Sequence, residues 1–491
     1  MTPPTWDQVL KSFQQIWGYA DFRQPQGEIV KALIDRRDLL VVLPTGGGKS
    51  ICFQLPAVLQ SGLTLVVSPL LALIENQVQE LRQKNLPAAA LHSEMARQQR
   101  QQILQALDQR QLRLLYLSPE TLLSPPVWQR LSDPNLEING LILDEAHCLV
   151  QWGDSFRPAY QRLGAVRQAL AAARPDRKIP LAAFTATADP QAQQVLCRVL
   201  QLQSPRCIRV NPHRSNLHLG VKRVVSPGQR QFLMDRYLRH HPHESGLIYV
   251  RTRRDSETLA ARLVAQNYRT APYHGGLGGA DRRRIEASWM ENRLQFVVCT
   301  SAFGLGINKP STRWVFHYQA PHTLTEYVQE VGRAGRDGHW AEALTLVSEP
   351  TGWIDPSDRQ RARFFRDQTL DLQKKAQQLV SQIPPTGAVN QVSQRFKHGA
   401  IALSWLHSAR QLEWLDPFHY RIRPSTAPAP DLQTAASHQL HQFFHSPSCR
   451  WRSLLVAFGF PAEAQTLGDC GHCDNCCRSR RHRGVQSPVQ P

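Results

Sequence analysis

The chain has 491 residues, room for about three domains at roughly 100–200 residues each. Hydrophobic residues are 42% and charged ones 20%, enough to bury sizeable cores, which excludes a broadly disordered protein. The 58 Lys and Arg against 39 Asp and Glu leave a formal charge of +19; this points to a polyanionic partner such as nucleic acid, although a merely soluble basic surface would carry the same excess.

In chain order, the stretch Met1–Trp17 carries Asp7 and has no long apolar centre, so no secretory signal is expected. No run nears the roughly 20 apolar residues of a membrane span, and the expected location is the cytoplasm. Short apolar runs then recur at Leu39–Leu43, Leu63–Val67, Leu112–Leu117, Leu141–Leu143 and Leu181–Phe184, and they predict buried parallel strands. Leu70–Arg82 and Gln98–Leu107 have helical spacing and fit the crossovers. A second series of runs follows at Gly246–Val250, Phe296–Cys299, Trp314–Tyr318 and Leu344–Val347. This is the rhythm of two α/β layers with parallel sheets, expected over 1–205 and 206–350. The seam is expected near Arg206–Pro227, where the apolar patterning lapses.

After Pro350 the pattern turns helical. Leu372, Ala376, Leu379 and Ile383 recur at helical spacing up to Pro384-Pro385. Val389, Val392 and Phe396 mark a short second helix, and Ile401, Trp405, Leu406, Ala409 and Leu412 a third. Leu412 and Trp414, then Phe418, Tyr420 and Ile422, alternate around an Asp416-Pro417 turn. Three helices and a hairpin predict a winged-helix-like segment, placed at 357–424. Arg395, Lys397, His398, Arg410, Arg421 and Arg423 would be available to phosphates. A helical spacer is the competing reading. Ser425–Pro430 reads as a short stiff linker.

The cysteines are unevenly spread. Cys449, Cys470, Cys473, Cys476 and Cys477 crowd into the C-terminal region, and without an export signal such a cluster predicts metal rather than disulfides. Four thiolates suit a closed tetrahedral Zn²⁺ site, expected as Cys449, Cys470, Cys473 and Cys476 within a module at 431–478. Cys477 is an alternative to Cys476, and His472 is near enough to compete. Arg450, Arg452, Arg478, Arg480, Arg481 and Arg483 suggest a metal-pinned basic grip that runs into a basic tail at 479–491.

Three motifs carry the chemistry. Leu39–Leu43 ends in Pro44-Thr45-Gly46-Gly47-Gly48-Lys49-Ser50, a strand, a glycine-rich loop and a helix start. Glycines let backbone N–H groups close around phosphates, Lys49 would reach the outer phosphates, and the Ser50 hydroxyl would hold Mg²⁺. Leu43 replaces the first glycine of the strict pattern. Next, Leu141–Leu143 runs into Asp144-Glu145-Ala146-His147. Asp144 would hold the metal, directly or through water, and Glu145 would orient and deprotonate an attacking water. Last, Gln329-Glu330-Val331-Gly332-Arg333-Ala334-Gly335-Arg336 offers paired arginines for charge that spreads over a γ-phosphoryl group.

These motifs, taken together, resemble the RecQ family of superfamily 2 DNA helicases. Tyr19, Phe22-Arg23 and Gln26 resemble its adenine-reading element, and Ser68-Pro69-Leu70 its first DNA-contacting motif. Asp144–Tyr160 is similar to its DEAH box and aromatic-rich loop. Thr185-Ala186-Thr187-Ala188, Tyr273-His274 with Gly276-Leu277, and Ala302–Pro310 continue the series in order, so the likeness covers about residues 10–350 and the terminal cysteines. The fold implied is two tandem RecA-like parallel-sheet domains, followed here by the mainly helical, winged-helix-like segment and a small four-cysteine zinc module.

The resemblance implies ATP, Mg²⁺ and Zn²⁺ as cofactors. Tyr19 would stack on adenine while Arg23 and Gln26 read it; Thr45, Gly46, Gly47, Gly48, Lys49 and Ser50 would hold the phosphates. Lys49, Asp144, Glu145, Gln329, Arg333 and Arg336 would act in hydrolysis, with Arg336 as the arginine finger. DNA contacts are expected at Ser68, Trp152, Phe156, Arg157 and His274; loop aromatics can stack on bases whatever their sequence. The activity implied is ATP-driven 3′-to-5′ translocation and unwinding of duplex, forked or branched DNA in recombination and repair. A strand-annealing or DNA-binding ATPase is the alternative, and an RNA helicase a further one. Single-stranded and branched DNA are the expected partners, a single-strand-binding protein is a candidate, no membrane is involved, and a monomer is expected. The departure from the family is one of order: the additional length lies before the zinc cysteines, and only Cys477–Pro491 follows the cluster.

Overall fold

The computed structural model describes residues 4–69, 71–150, 157–303, 307, 309–349, 353–423 and 432–482. These form two compact units: Met1–Leu43, Gly47–Val210 and Asp367–Pro430 make the first, and Pro44–Gly46, Asn211–Arg366 and Asp431–Pro491 the second.

The first unit is built on seven strands: β1 Leu39–Val42, β2 Leu63–Val67, β3 Ala88–Leu91, β4 Leu114–Leu117, β5 Ile138–Leu143, β6 Leu181–Thr185 and β7 Arg206–Arg209. They lie in the order β3-β4-β2-β5-β6-β1-β7, all parallel. Alternate residues enter two cores. Leu40, Val42, Leu65 and Val67 join one face, and Leu39, Val41, Leu43 and Val66 the other. Burial on both faces is why these strands read as unbroken apolar runs.

The second unit repeats the plan with β8 Leu217–Val224, β9 Gly246–Tyr249, β10 Thr270–Tyr273, β11 Phe296–Cys299, β12 Trp314–His317 and β13 Ala341–Ser348, in the order β10-β11-β9-β12-β13-β8. Two parallel-sheet domains were expected and two are found. The units change between Val210 and Asn211, inside the stretch Arg206–Pro227 where the seam is expected, yet that stretch is not a lapse in structure. Arg206–Arg209 is the edge strand β7, paired with β1, and β8 pairs with β13 along its whole length. Leu217, Leu219 and Val221 of β8 alternate into the second core, and polar neighbours mask that two-residue period.

The segment after the second sheet starts with a helix over Ser357–Val380, longer than the apolar spacing alone predicts. Helices Val389–Arg395 and Gly399–Ser408 follow. Then β15 Leu412–Trp414 and β16 His419–Ile422 form the hairpin, which an unexpected β14, Thr386–Ala388, extends to three strands. Leu412 belongs to the strand, not to the third helix. Ala376, Ile383, Val392, Leu406, Trp414 and Tyr420 make a small core of their own. The linker Ser425–Pro430 lies outside the described residues.

The cysteine module belongs to the second unit. Phe443, Phe444, Trp451 and Leu454 merge with the β8 core, and Trp451 Nε1 donates to Leu217 O at 3.1 Å. No helix among the described residues is long and apolar enough to cross a membrane.

Candidate active site

The phosphate loop follows the buried end of β1. Gly46 and Gly48 adopt φ of 83° and 71°, a region in which L side chains are strained. A Cβ on Gly48 would also lie 2.3 Å from Gln26 Nε2 and displace that side chain's end, so the backbone conformation calls for glycine and the contact adds to it. Gln26 ties the adenine-reading element to this loop: its Nε2 donates to Gly47 O at 3.2 Å and its Oε1 accepts from Arg23 N at 3.0 Å. Tyr19 is half exposed beside Phe13, with ring centroids 6.0 Å apart, and Arg23 is exposed. Lys49 and Ser50 start the helix Lys49–Leu59.

Both acidic residues leave the end of β5. Lys49 Nζ stands 3.3 Å from Glu145 Oε1. Asp144 Oδ2 accepts from Gln77 Nε2 at 3.2 Å, and Asp144 Oδ1 accepts from Glu145 N at 3.0 Å. Glu145 has φ 50° and ψ 46°, a left-handed conformation uncommon for a side-chain-bearing residue and concentrated at functional sites. His147 Nδ1 lies 3.2 Å from Thr185 Oγ1 and 3.3 Å from Glu145 Oε2, which links the Thr185-Ala186-Thr187-Ala188 motif to the acidic pair.

Burial and the adjacent Glu145 charge raise the Asp144 pKa to about 6 against the pull of Lys49. Burial opposes ionisation of Glu145 as well, but Lys49 and the bond from His147 outweigh it and hold that carboxyl well below its usual range. Asp144 and Glu145 offer buried carboxylate oxygens and Ser50 a hydroxyl at the helix start, the hard oxygen donors that Mg²⁺ takes. The residues present therefore fit Mg²⁺ with a nucleotide, held by Ser50, Asp144 and the phosphate loop.

In the second unit, the helix Leu324–Val331 and the turn after it present the arginine motif. Gln329 and Arg333 are buried; Arg336 Nη1 donates to Ile307 O at 3.1 Å and its Nε to Gly332 O at 3.3 Å. Residues outside the motif hold this turn. Arg214 Nη1 donates to Ala334 O at 2.8 Å, and Asn216 Nδ2 donates to Gly335 O at 2.8 Å. Glu330 takes two bonds from Arg251, at 2.9 and 2.7 Å, with both side chains almost wholly buried. Gln77, Arg214, Asn216 and Arg251 escape a reading of the sequence, because each lies far along the chain from the motif it supports and carries no local signature.

The expected DNA-contacting residues are more dispersed. Trp152 and Phe156 lie outside the described residues, as do Leu70, Gly304-Leu305-Gly306 and Asn308 of the resemblance motifs. Arg157 is on the surface, paired with Glu120 at 3.2 Å. Ser68 and His274 are buried, 1% and 4% exposed. His274 Nδ1 accepts from Gly276 N, so its Nε2 carries the proton donated to Glu257 at 3.0 Å. Lys309 is turned inward onto Trp289 O and Asn292 Oδ1.

At the cysteine cluster, the sulfurs of Cys449, Cys470, Cys473 and Cys476 all lie within 4.8 Å of one another. Zn–S bonds of about 2.3 Å place tetrahedral ligands roughly 3.8 Å apart, and Cys470 Sγ stands 3.9 Å from Cys476 Sγ. Backbone N–H groups of Cys470, Arg450 and His472 point at the sulfurs of Cys449, Cys473 and Cys470, each at 3.4 Å, as suits thiolates. The donor set fits zinc. Cys477 is directed instead to Gly471 O at 3.7 Å, and His472 Nδ1 is engaged with Cys470 O at 2.8 Å. Arg450 corrects the expected basic grip: it is buried and paired through two nitrogens with Asp474, at 2.9 and 3.1 Å. Its charge is internal to the module. The side chains of Arg480, Arg481 and Arg483 lie outside the described residues.

A DEAD/DEAH box helicase model matches residues 23–195, and a helicase conserved C-terminal domain model matches residues 229–338. Among solved structures, the DUF1998 helicase MrfA bound to DNA has a TM-score of 0.59 at 17% identity, covering 88% of this chain and 65% of that one. Mycobacterium smegmatis Lhr bound to ssDNA and AMP-PNP gives 0.56 at 18%, covering 89% and 61%. These likenesses are of fold. By sequence, the chain is 38% identical over 350 residues to the ATP-dependent DNA helicase RecQ of Haemophilus influenzae, covering 71% of this chain and 54% of that protein. It is 37% identical over 342 residues to the probable ATP-dependent DNA helicase RecS of Bacillus subtilis, covering 69% and 66%. It is 55% identical over 472 residues to the ATP-dependent DNA helicase RecQ of Synechocystis sp., covering 96% of this chain and 98% of that protein. A match of that depth along both chains, with the phosphate loop, acidic pair and arginine turn formed, means that the chain belongs to the RecQ family of ATP-dependent DNA helicases.

Proposed function

We propose that this chain hydrolyses ATP with Mg²⁺ and uses the energy to move 3′ to 5′ along single-stranded DNA, unwinding tailed, forked or branched duplexes in recombination and repair. The observation that carries the reading is the buried grouping of Lys49, Asp144 and Glu145 at the ends of parallel strands, with Lys49 and Glu145 3.3 Å apart. When bound, MgATP supplies the phosphoryl group and a cation that offsets its charge. Lys49 and the glycine-loop amides hold the phosphates, and Ser50 and Asp144 hold the metal. Glu145, kept ionised, accepts a proton from the attacking water. Gln329, Arg333 and Arg336 position and stabilise charge as it spreads in the transition state. Tyr19, Arg23 and Gln26 take the adenine.

For DNA, Arg157 and the surface bases of the winged-helix-like segment at 357–424 supply phosphate contacts. Ser68, His274, Trp152 and Phe156 are proposed strand contacts on the resemblance alone. The zinc module at 431–478 braces the edge of the second sheet. The enzyme is proposed to act as a monomer in the cytoplasm on chromosomal DNA, with a single-strand-binding protein as a candidate partner.

Strand displacement on duplexes with 3′ or 5′ tails tests the reading. Release of the strand from 3′-tailed duplexes with ATP, and none with a non-hydrolysable analogue, is expected. A preference for 5′ tails overturns the polarity. Strand annealing without displacement supports the alternative, an ATPase that does not unwind.

A further inference from the structure

From Asp367 on, the winged-helix-like segment belongs to the first unit, and its contact with the rest of that unit is polar as well as apolar. Phe418, in the hairpin turn, meets Trp128 edge to face at 5.3 Å. Arg162 Nη1 donates to Pro417 O at 3.1 Å. Ala165 lies in the segment's own apolar core with Leu406, Trp414 and Tyr420. At the centre is Gln161, 2% exposed, on the single turn Pro158–Arg162. Its Nε2 donates to Leu149 O at 3.1 Å, and its Oε1 lies 3.0 Å from His407 Nδ1, on the helix Gly399–Ser408.

The chemistry fixes the direction of both bonds. A carbonyl only accepts, so the Gln161 amide nitrogen faces Leu149 and its oxygen faces His407. His407 must then donate from Nδ1. Burial, with the Arg198 charge, pushes its pKa down to about 4, so the ring is neutral and carries one N–H. Leu149 ends the short turn Ala146–Leu149, which starts directly after Glu145 and carries His147, the partner of Glu145. Three linked groups thus run from the winged-helix-like segment to the acidic pair. Arg395, Lys397, Arg410 and Arg421 of the segment are exposed, which gives it a basic surface.

We propose that duplex DNA held on this basic surface is sensed at the acidic pair through the His407–Gln161–Leu149 relay. His407 and Gln161 are then positioning residues for duplex-stimulated hydrolysis. The inference rests on the proposed DNA-dependent ATPase and adds to it a route that this chain's order of elements makes available. A buried donor–acceptor chain has few alternative arrangements, so a shift of the helix Gly399–Ser408 must either move Gln161 or strand a buried polar group without a partner.

The test measures ATP turnover with no DNA, with single-stranded DNA and with tailed duplex, together with tailed-duplex affinity by fluorescence anisotropy. His407→Phe removes the N–H and keeps the bulk; His407→Asn keeps an N–H donor near the place of Nδ1. Expected for His407→Phe are unchanged DNA-free and single-strand-stimulated rates, unchanged duplex affinity, and a loss of duplex stimulation of about fivefold or more. His407→Asn should restore most of it. Gln161→Leu, read in the same way, serves if His407→Phe is insoluble. Full duplex stimulation in a folded His407→Phe or Gln161→Leu protein overturns the relay, as does equal loss in the Phe and Asn variants. Wild-type protein that gains nothing from duplex beyond single-stranded DNA also overturns it but leaves the proposed helicase standing; wild-type protein with no DNA-stimulated ATPase removes that underlying reading too.

Discussion

Lys49 stands close enough to Glu145 to help hold its carboxyl ionised, yet a substitution there should read out differently from one at the arginine turn. Lys49→Ala removes the phosphate ligand and leaves the basic surfaces intact, so DNA-dependent ATP hydrolysis should fall to background while most DNA binding remains. Arg336→Ala should bind ATP normally and slow turnover at saturation by about 10³-fold or more, because a finger acts on charge that appears only in the transition state. Turnover and nucleotide titrations check both. Glu330 makes a stability prediction. Burial opposes its ionisation, but the Arg251 guanidinium overcomes this and lowers the pKa to about 2. A carboxylate with a depressed folded-state pKa stabilises fully above its unfolded value, about 4.3, and that contribution is lost as pH falls through about 2. Glu330→Gln leaves Arg251 buried without its counter-charge. It should cost about 3–5 kcal/mol near neutrality and flatten the acid limb between about pH 4.3 and about 2, measured by denaturant unfolding across pH.

At the scale of elements, the cysteine module and β8 form one structure. Leu219 and Cys473 pair as a backbone bridge, Val221 N donates to Asp474 Oδ2 at 3.3 Å, and Trp451 caps Leu217. Metal loss should therefore reach the sheet edge. One zinc per chain is expected, and Cys473→Ser should lose it, lower the unfolding temperature of the second unit and weaken DNA binding, with some ATPase surviving. Metal analysis with calorimetry checks this. The winged-helix-like segment has its own core and three-stranded sheet, so it can be removed as an element. A soluble deletion of residues 370–423 should keep ATPase stimulated by single-stranded DNA and lose most duplex unwinding. Unwinding as fast as the intact chain would make the segment a spacer. Such a deletion exposes Trp128 and Ala165, and lower solubility is the expected side effect.

For the whole molecule, the +19 charge is a statement about association. If it serves nucleic acid, the logarithm of DNA affinity falls linearly with that of salt, and a footprint of roughly 6–10 phosphates loses about 10³- to 10⁵-fold between about 50 and 200 mM. A flat response would reduce the basic excess to a solubility device. Some of the basic residues are internal and neutralised by an acid, which leaves the net charge unchanged: Arg167 is buried against Asp38 at 2.6 Å, Arg230 against Asp355 at 3.2 Å, and Arg450 against Asp474. The count of basic residues therefore overstates the field available to DNA.

What the sequence determined by itself was local or repetitive. Buried parallel strands appear as continuous apolar runs because both faces are covered. The phosphate loop, the acidic pair and the Cys-x-x-Cys-x-x-Cys spacing are short motifs whose chemistry needs neighbours in the chain. The three helices and hairpin of residues 372–422 could be read from their periods for the same reason. Tertiary structure decided whatever depends on residues far apart: Gln77 on Asp144, Arg214 and Asn216 around the arginine turn, Arg251 on Glu330. It chose Cys476 over Cys477, since adjacent residues on a helix point about 100° apart and only one can face the other three sulfurs. It hid β7 and β8 from the pattern: β7 is an edge strand with Ile208 alone buried, and β8 mixes polar residues with the apolar ones that the cysteine module covers. It also withdrew Arg450 from the surface and seated the winged-helix-like segment on Gln161, outcomes set by packing partners that no local period encodes.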